Sequence, residues 1–391
     1  MIRGRRWSLK EKVAFLRDPG TYSDRPRHVE TVETHFAWVF LTARYAYKLK
    51  KPVRQAAMDY RTLGARERGC RSELRLNRCL APGVYRSVVP LITRGGALEL
   101  GKGAVALGKG DRVEDWLVKM RRLPSDRMFD RALERGTVSG AELARLIATL
   151  AGFFRRAKPM PMQGAGYVAR LRRQVRGNRR ALRRYGVRLQ QPLVAELAAA
   201  QLEFIARARN LLAARGARVV EGHGDLRAEH VCLGPPVCVI DCLEFDRDLR
   251  LLDPAEEIAI LALEVERLGR RRLAGELMRR FCATSNDPVV RAVLEFYMSH
   301  RAATRAKLAA WHLDDPQFPV ARPWLLRTHS YLKSSLRHVR RALRFLETAN
   351  LHGVGGRPLL KQRRERRSAQ HARDRLPEQR SNRQYGQSAA P

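Results

Sequence analysis

The fold of this chain is decided by Glu221-Gly-His-Gly-Asp-Leu-Arg-Ala-Glu-His230 and, shortly after it, Val237-Cys-Val-Ile-Asp241-Cys-Leu-Glu-Phe245. Residues 231–233 and 237–240 predict two short strands, because apolar runs flank the turn residues Gly234-Pro235-Pro236. Asp225 and Asp241 would then flank one hairpin and meet at its open end. Two carboxylates arranged in this way are typical of phosphoryl transfer, in which one orients an acceptor hydroxyl and the other holds magnesium.

The alternative interpretation of these aspartates is a surface turn followed by an ordinary residue at a strand end. A His-Gly-Asp triplet alone would favour that alternative, because so short a motif carries little information. The second aspartate, which closes an apolar strand, favours the catalytic interpretation instead.

The composition is that of a folded globular protein. With 391 residues, 45% of them hydrophobic, the chain can bury a large core and divide into lobes. It has no apolar run long enough to span a membrane, and charged residues occupy the start, where a secretory signal would need an apolar segment. We therefore expect a cytoplasmic protein.

The six cysteines include no Cys-x-x-Cys pair, so neither a disulfide framework nor a zinc site is expected. Cys232, Cys238 and His230 could be combined into a metal site. Buried thiols that act as small apolar side chains explain these cysteines more simply.

The net charge is strongly positive, at +38, with 77 basic and 39 acidic residues. Such a field attracts nucleotides, phosphorylated small molecules, RNA and anionic lipid, and it repels polycations. The segment between Arg155 and Arg188 contains 12 basic residues and no acidic residue. That segment predicts either a solvated helix face or an anion-binding surface, and with the C-terminal tail it makes nucleic acid a candidate partner.

The pattern along the chain predicts an α+β protein with four parts. Residues 1–27 form a basic lead-in, and 28–123 form a β-rich lobe with one helix. Residues 124–352 form a mostly helical lobe that carries the hairpin. The Arg- and Gln-rich residues 353–391 predict a disordered tail.

The first lobe offers a lysine and a glutamate suited to a phosphate site. Strands are predicted at 29–35, 37–42 and 45–50, and Lys48 lies on the third of them. Glu73 lies on the helix predicted at 62–80. A phosphotransferase needs a cation for the phosphates and a carboxylate that holds this cation. The alternative is an exposed lysine and an exposed helical glutamate.

Two segments, 96–102 and 103–109, fit the spacing Gly-x4-Gly-Lys of a phosphate-binding P-loop. Each is followed by glycine where a P-loop has serine or threonine, and neither precedes a predicted helix. We expect a Gly-rich hairpin there. Further along, Asp253 followed by Pro254 predicts a helix N-terminus, with Asp253 as its cap.

Seven motifs occur in order along the chain: Val32-Glu-Thr-His-Phe-Ala-Trp-Val-Phe-Leu41, Tyr47-Lys-Leu-Lys-Lys-Pro-Val53, Glu73-Leu-Arg-Leu-Asn77, Val118-Lys-Met-Arg-Arg-Leu123, His223-Gly-Asp225, Ile240-Asp241-Cys-Leu-Glu-Phe245 and Arg301-Ala-x-x-Arg-Ala-Lys307. With these motifs, residues 28–350 resemble the aminoglycoside phosphotransferase family of the protein-kinase-like superfamily. The closest resemblance is to the kinase-like half of bacterial proteins that pair this domain with a P-loop ATP-binding domain.

The resemblance implies a protein-kinase-like fold, with a small β-rich N-lobe and a larger helical C-lobe, and the cofactors ATP and Mg²⁺. It implies that Asp225 is the catalytic base and that Asp241 is a magnesium ligand. Lys48 and Glu73 would position the phosphates, and Met120 would belong to the nucleotide site. The resemblance assigns supporting places to His223, Glu229, Glu244 and Asp253.

The chain departs from the family pattern in three ways. His230 stands where the family has an asparagine that binds a second magnesium ion, and magnesium prefers oxygen ligands. His230 is therefore a poor substitute as a metal ligand, and either the neighbouring Glu229 stands in for it or the second metal is held weakly. The turn at His35-Phe36-Ala37 has no glycine-rich phosphate loop, and no P-loop domain is expected after the basic tail.

Two functions remain open at this stage. The first is an ATP- and magnesium-dependent phosphotransferase that acts on the hydroxyl of a small molecule. The second is a catalytically weak kinase-like module that binds nucleotide and engages nucleic acid or a protein through its basic helices. A neutral or anionic acceptor is favoured over an aminoglycoside, because the positive chain repels polycations.

Overall fold

The computed structural model describes residues 6–55, 58–101, 108, 110–314 and 320–351. The chain divides into two units, Met1–Leu343 and Arg344–Pro391. In the second unit only the end of a helix, up to residue 351, is described, so the tail predicted at 353–391 lies outside the described residues.

The N-terminal part of the first unit is built on a twisted antiparallel sheet. The strands of this N-terminal part are β1 (Glu30–Glu33), β2 (Ala37–Leu41), β3 (Tyr45–Lys50), β4 (Arg54–Gln55), β5 (Met58–Asp59), β6 (Tyr85–Arg94), β7 (Ala97–Leu100) and β8 (Arg112–Arg121). Six of them form one sheet in the order β1-β2-β3-β8-β6-β7, and β4 pairs with β5 apart from it.

Two helices cover the two faces of this sheet. Helix α1 (Leu9–Arg17) begins at a capping box formed by Ser8 and Glu11, and it packs on the face that carries Tyr47 and Leu49. Helix α2 (Leu63–Asn77) lies on the opposite face. Since neighbouring side chains of a strand point to opposite faces, Lys48 and Lys50 both point toward α2.

The Gly-rich segment after β6 is part of the sheet. Gly95 and Gly96 form the turn between β6 and β7 with φ of +56° and +84°, a conformation that favours glycine. Residues 97–100 of the first P-loop-like segment are strand β7, so this segment does not open a helix. The second segment, 103–109, lies outside the described residues except for Gly108.

The second lobe is helical apart from four short strands. Its helices are α3 (Phe129–Arg135), α4 (Gly140–Arg156), α5 (Gly164–Arg183), α6 (Gln191–Arg207), α7 (Arg209–Arg215), α8 (Pro254–Arg267), α9 (Arg271–Thr284), α10 (Arg291–Trp311) and α11 (Ala321–Leu351). The strands β9 (Val220–Glu221) and β12 (Leu251–Leu252) pair with each other, and so do β10 (Val231–Cys232) and β11 (Cys238–Val239).

Helices α8 and α10 form the centre of this lobe. Every residue of α8 from 255 to 265 is buried, and α10 is buried on nearly all sides through its first half. Both helices therefore belong to the interior of the lobe, although α8 also carries the buried carboxylates of Glu256, Glu257 and Glu264. Among the described residues, no helix is long and apolar enough to cross a membrane.

A buried ion-pair network anchors the start of α8. Asp253 is the N-cap, as predicted, and accepts a hydrogen bond from the Ala255 amide at 3.0 Å. Arg215 donates two hydrogen bonds of 2.6 Å to the Asp253 carboxylate, and the Tyr297 hydroxyl donates another at 2.7 Å. Arg215 also binds Asp287 through two hydrogen bonds, so it ties α8 to the end of α7 and to the loop before α10.

The next turn of α8 fixes the loop that contains the His-Gly-Asp motif. The fully buried Glu257 carboxylate accepts hydrogen bonds from the amides of His223, at 2.9 Å, and Gly224. A Cβ atom at Gly222 would lie 2.1 Å from this carboxylate, so the loop passes where only glycine fits. Burial raises the pKa of Glu257 to about 7, although the two amides act in the opposite direction.

We predict that Arg215→Met destabilises the protein by about 3–5 kcal/mol, because Asp253 and Asp287 lose their cation in a buried site. Urea unfolding measures this change. Arg131→Met, which removes an exposed partner of Glu134, is the control and should change the free energy of unfolding by less than about 1 kcal/mol. Equal effects of the two substitutions would contradict the importance of the network.

We predict that Glu257 makes stability depend on pH. Its folded-state pKa of about 7 lies above the ordinary value of 4.5, so the stability it contributes is fully present below pH 4.5 and is lost as the pH rises through 7. The free-energy difference between wild type and Glu257→Gln should shrink by about 3 kcal/mol over that range. A difference that stays constant from pH 4.5 to 8 would show that the carboxyl is not perturbed.

Candidate functional site

The hairpin of β10 and β11 packs directly against the sheet of the N-lobe. Cys232 and Cys238, from β10 and β11, share an apolar cluster with Ala46 and Met120 of the sheet, and Ile240 packs at its margin. All of these lie beside the point where the chain leaves β8 for the helical lobe. The cluster forms an apolar floor between the lobes, and Met120 lies in it.

Lys48 joins the two lobes through two carboxylates. Its Nζ donates a hydrogen bond to Glu73 Oε1 at 3.0 Å and another to Asp241 Oδ1 at 2.5 Å. Glu73 is fully buried, which rules out the alternative of an exposed helical glutamate. Although burial lowers the pKa of Lys48, Asp241 and Glu73 raise it above the ordinary value, so the ammonium stays charged.

Lys50 forms a second connection that sequence analysis did not identify. Its Nζ donates to Glu73 Oε2 at 2.5 Å and to Glu244, which also accepts a hydrogen bond of 2.6 Å from the Tyr60 hydroxyl. Lys50 is 2% exposed, so this is an interior contact and not a surface ion pair. The sequence contained a signal for Lys50: it lies two positions after Lys48 on the same strand, so both side chains point to the face of the sheet that α2 covers.

Asp241 sits in a strained backbone conformation that the N-lobe holds in place. Its φ is +64°, which costs energy for a residue other than glycine. The Asp241 amide donates a hydrogen bond to the Tyr85 hydroxyl oxygen at 3.1 Å, and the Cys242 amide donates to the Asn77 side-chain oxygen at 2.9 Å. These contacts direct the Asp241 carboxylate, which is 42% exposed, into the cleft.

The carboxylate of Asp241 is ionised under ordinary conditions. Desolvation in the cleft raises the pKa of the Asp241 carboxyl. Lys48 and His230 lower this pKa by a larger amount, so that it lies well below the usual range. With Oδ1 bound to Lys48, Oδ2 lies 3.6 Å from His230 Nε2. One oxygen of this carboxylate therefore remains available on the cleft side.

Asp225 lies on the other side of His230, between two arginines. Arg227 donates to Asp225 Oδ2 at 2.9 Å, and Arg305 of α10 approaches Oδ1 at 3.7 Å. Burial raises the pKa of Asp225, but Arg227 and Arg305 bring it down to about 2. Asp225 is thus a carboxylate that can accept a hydrogen bond from an acceptor hydroxyl and orient it.

Two histidines connect the loop to the hairpin. His230 Nδ1 lies 2.9 Å from the Asp225 carbonyl oxygen, which can only accept, so Nδ1 carries the proton and Nε2 is an acceptor. His223 Nε2 likewise donates to the Ile240 carbonyl at 2.9 Å. Burial and His230 lower the pKa of His223 to about 4, so this ring is neutral and serves to hold the loop.

The site suits a divalent cation that shares its ligands with phosphate oxygens. Two lysines, Lys48 and Lys50, and three carboxylates, of Glu73, Glu244 and Asp241, together carry one excess negative charge, and of the three carboxylates that of Asp241 is the exposed one. The described part of the chain holds no cluster of three or more His, Cys, Asp or Glu side chains able to bind a metal alone. Magnesium commonly uses one or two carboxylates plus phosphates, so the donor set fits.

The remaining residues predicted for the metal site are engaged elsewhere. Glu229 is half-exposed and forms an ion pair with Arg227. His230 Nε2 accepts a hydrogen bond from Arg227 at 2.8 Å. Cys232 and Cys238 are free, buried thiols in the apolar floor, as the simpler interpretation of them predicts.

A histidine contact occupies the place of a glycine-rich loop. Between β1 and β2, the Thr34 amide donates to the Ala37 carbonyl oxygen at 2.8 Å and closes a tight turn. His35 in this turn stacks on His312, at the end of α10, with ring centroids 5.3 Å apart. The turn therefore reaches the second lobe across the mouth of the cleft.

Comparison with curated proteins gives relatives that are longer than this chain. Rv2004c of Mycobacterium tuberculosis, an uncharacterized protein, is 29% identical over 349 residues, which cover 87% of this chain and 64% of that protein. Mb2027c of Mycobacterium bovis matches to the same extent. The chain thus spans less than two thirds of the length of these relatives.

Comparison with solved structures gives aminoglycoside phosphotransferases. The GDP complex of wild-type aminoglycoside 2'-phosphotransferase-IIIa has a TM-score of 0.53 at 14% identity, covering 84% of this chain and 99% of that one. The GDP and kanamycin complex of APH(2")-IIia has a TM-score of 0.52 at 13% identity, covering 84% and 98%. At such identities the likeness shows a shared fold, and it confirms the predicted kinase-like architecture.

The family model described as "Phosphotransferase enzyme family" matches residues 66–297, more than half of the chain, and this range contains Glu73, Asp225 and Asp241. On that match, the chain belongs to the phosphotransferase enzyme family.

Proposed function

We propose that this protein transfers the γ-phosphoryl group of ATP, with Mg²⁺, to a hydroxyl group of a small molecule. The observation that carries the proposal is the position of Lys48, which binds Glu73 in one lobe and Asp241 in the other. Phosphoryl transfer requires little covalent chemistry from the protein, so positioned charges are its main contribution. Three such charges already converge here without ligand.

The proposed roles follow from these contacts. Lys48, held by Glu73, binds nucleotide phosphates when Asp241 turns to the metal. Magnesium would be held by Asp241 and phosphate oxygens, and it would neutralise charge that develops on the transferred group. Asp225 orients the acceptor hydroxyl, while His223 and Glu257 keep its loop in place. Met120 and the apolar floor around it contact the nucleotide base.

The acceptor in this proposal is neutral or anionic. Of the acidic residues that could have made the cleft attractive to a polycation, Glu244 and Glu256 are buried in ion pairs with Lys50 and Arg301. Beside Asp225 the nearest charged side chains are Arg227 and Arg305. Cations at short range repel an aminoglycoside more strongly than the net charge of the whole chain does.

We also propose that the chain corresponds to the kinase-like half of proteins that carry a P-loop ATP-binding domain as well. The supporting observation is that its curated relatives extend beyond the matched region, which covers 64% of their length. A cytoplasmic location stays a prediction.

A catalytically weak module that engages nucleic acid is the second candidate. The observation in its favour is the surface of α5, on which a set of arginines is exposed and, within the described chain, forms no ion pair: Arg173, Arg176, Arg179, Arg180 and Arg183. Such a surface suits a phosphate backbone, and binding through it would weaken steeply with salt.

We predict that ATP stabilises the protein only together with Mg²⁺ and that Asp241→Asn removes this effect. Ligand at about 100 times its dissociation constant adds about 2.7 kcal/mol to stability, which a thermal-shift titration detects. Asp126→Asn, an exposed substitution outside the cleft, should respond like wild type. Equal stabilisation of wild type and Asp241→Asn would refute the metal site.

We predict that Asp225→Asn lowers phosphoryl transfer by about 10²- to 10⁴-fold while metal-dependent ATP binding persists. Labelled ATP is incubated with a metabolite pool and either wild type, Asp225→Asn or the Asp126→Asn control. No transfer by wild type, together with a salt-sensitive gel shift of RNA that Asp225→Asn leaves unchanged, would favour the second candidate instead.

A further inference from the structure

Arg227 occupies the centre of the site, yet none of the roles proposed above requires it. Its Nε donates to Asp225 Oδ2 at 2.9 Å, its Nη2 donates to His230 Nε2 at 2.8 Å, and its Nη1 binds Glu229. The side chain is 19% exposed. All three nitrogens of the guanidinium are therefore engaged by three different side chains of the same loop.

These contacts use the lone pairs that a metal would need on this side of the site. The imidazole of His230 has one nitrogen lone pair that can accept a hydrogen bond or bind a metal, on Nε2, because Nδ1 carries the proton donated to the Asp225 carbonyl oxygen. That lone pair accepts from Arg227, and so does Asp225 Oδ2. A guanidinium stays charged at any ordinary pH, so a cation entering here must displace another cation.

The Asp241 side of the site is different. Its Oδ1 accepts from Lys48, a flexible side chain that can move to a phosphate, and the carboxylate is 42% exposed to the cleft. Arg227 contributes to the lowered pKa of Asp241 but does not bind its oxygens among the described contacts. The two carboxylates thus differ: the partner of Asp225 is fixed, and that of Asp241 can be exchanged.

We propose that Arg227 is a positioning residue whose guanidinium takes the place of a second metal ion between Asp225 and His230, so that the nucleotide complex binds one divalent cation, at Asp241. This inference rests on the proposed function. A fixed guanidinium supplies positive charge next to the transferred phosphoryl group, where charge spreads over the equatorial oxygens. Its fork geometry also sets the orientation of the Asp225 carboxylate toward the acceptor.

The substitution of histidine for an oxygen ligand at position 230 then has a physical reason. A neutral imidazole with Nδ1 bound to the Asp225 carbonyl presents an acceptor to a guanidinium at Nε2 and adds no negative charge. Arg227 and His230 therefore act together: the imidazole provides an acceptor for the guanidinium, and the guanidinium provides the positive charge that a metal would otherwise supply.

The test counts bound Mn²⁺ by electron paramagnetic resonance in the presence of a saturating non-hydrolysable ATP analogue. Wild type should bind one Mn²⁺ per protein. Arg227→Met frees Asp225, Glu229 and His230, so a second Mn²⁺ should bind at least about tenfold more tightly than to wild type. Arg227→Lys keeps the charge and should still bind one, as should Arg280→Met, which removes an exposed partner of Glu276 on α9.

Two Mn²⁺ ions of similar affinity on wild type would overturn the inference, even if Arg227→Met does not fold. So would an Arg227→Met protein that binds one Mn²⁺ with no sign of a second. Absence of any nucleotide-dependent Mn²⁺ binding to wild type would overturn the proposed function as well, and this result is distinct from a count of two.

Discussion

The fully buried carboxylate of Glu73 is the interaction on which the rest of the site depends. It accepts hydrogen bonds from Lys48 and Lys50, and each lysine binds a second carboxylate in the loop after the hairpin, Asp241 and Glu244 respectively. A buried carboxylate that lost these cations would cost several kcal/mol. Because the Glu73 carboxylate needs both cations, it holds strand β3 of the N-lobe next to the segment of the C-lobe that carries Asp241 and Glu244.

The opposite side of the cleft is fixed by a second buried carboxylate. Glu257 holds the amides of His223 and Gly224, and one turn earlier Asp253 ties the start of α8 to Arg215. Because α8 is buried from residue 255 to residue 265, movement of this loop would disturb the centre of the lobe. The cleft therefore lies between these two buried carboxylates. Lys48, which Glu73 holds, and Asp241 face the cleft and bind each other there.

Much of this arrangement could be predicted from sequence because it follows local rules. Strand alternation placed Lys48 on the face that meets α2, and the Asp253-Pro254 pair marked the start of α8 as observed. The structure departs from expectation in the length of some elements. Strands β10 and β11 contain two residues each, and α2 ends at Asn77 instead of continuing to residue 80.

Contacts between residues far apart in the sequence could not be predicted in the same way. Lys50 and Glu244 are 194 positions apart, and although Arg305 belongs to the motif Arg301–Lys307, that motif did not indicate that it approaches Asp225. Arg227 lies only two positions from Asp225, but its three partners depend on the conformation of the loop.

The central claim is that Lys48 and Asp241 form a resting pair that opens to receive nucleotide phosphates and a metal ion. A crystal structure with Mn²⁺ and a non-hydrolysable ATP analogue, with anomalous data to locate manganese, tests it most directly. The account predicts an anomalous peak at the Asp241 carboxylate, with Lys48 Nζ moved to a phosphate oxygen and still bound to Glu73. Manganese and nucleotide bound away from Asp241, with the Lys48–Asp241 contact intact, would contradict it.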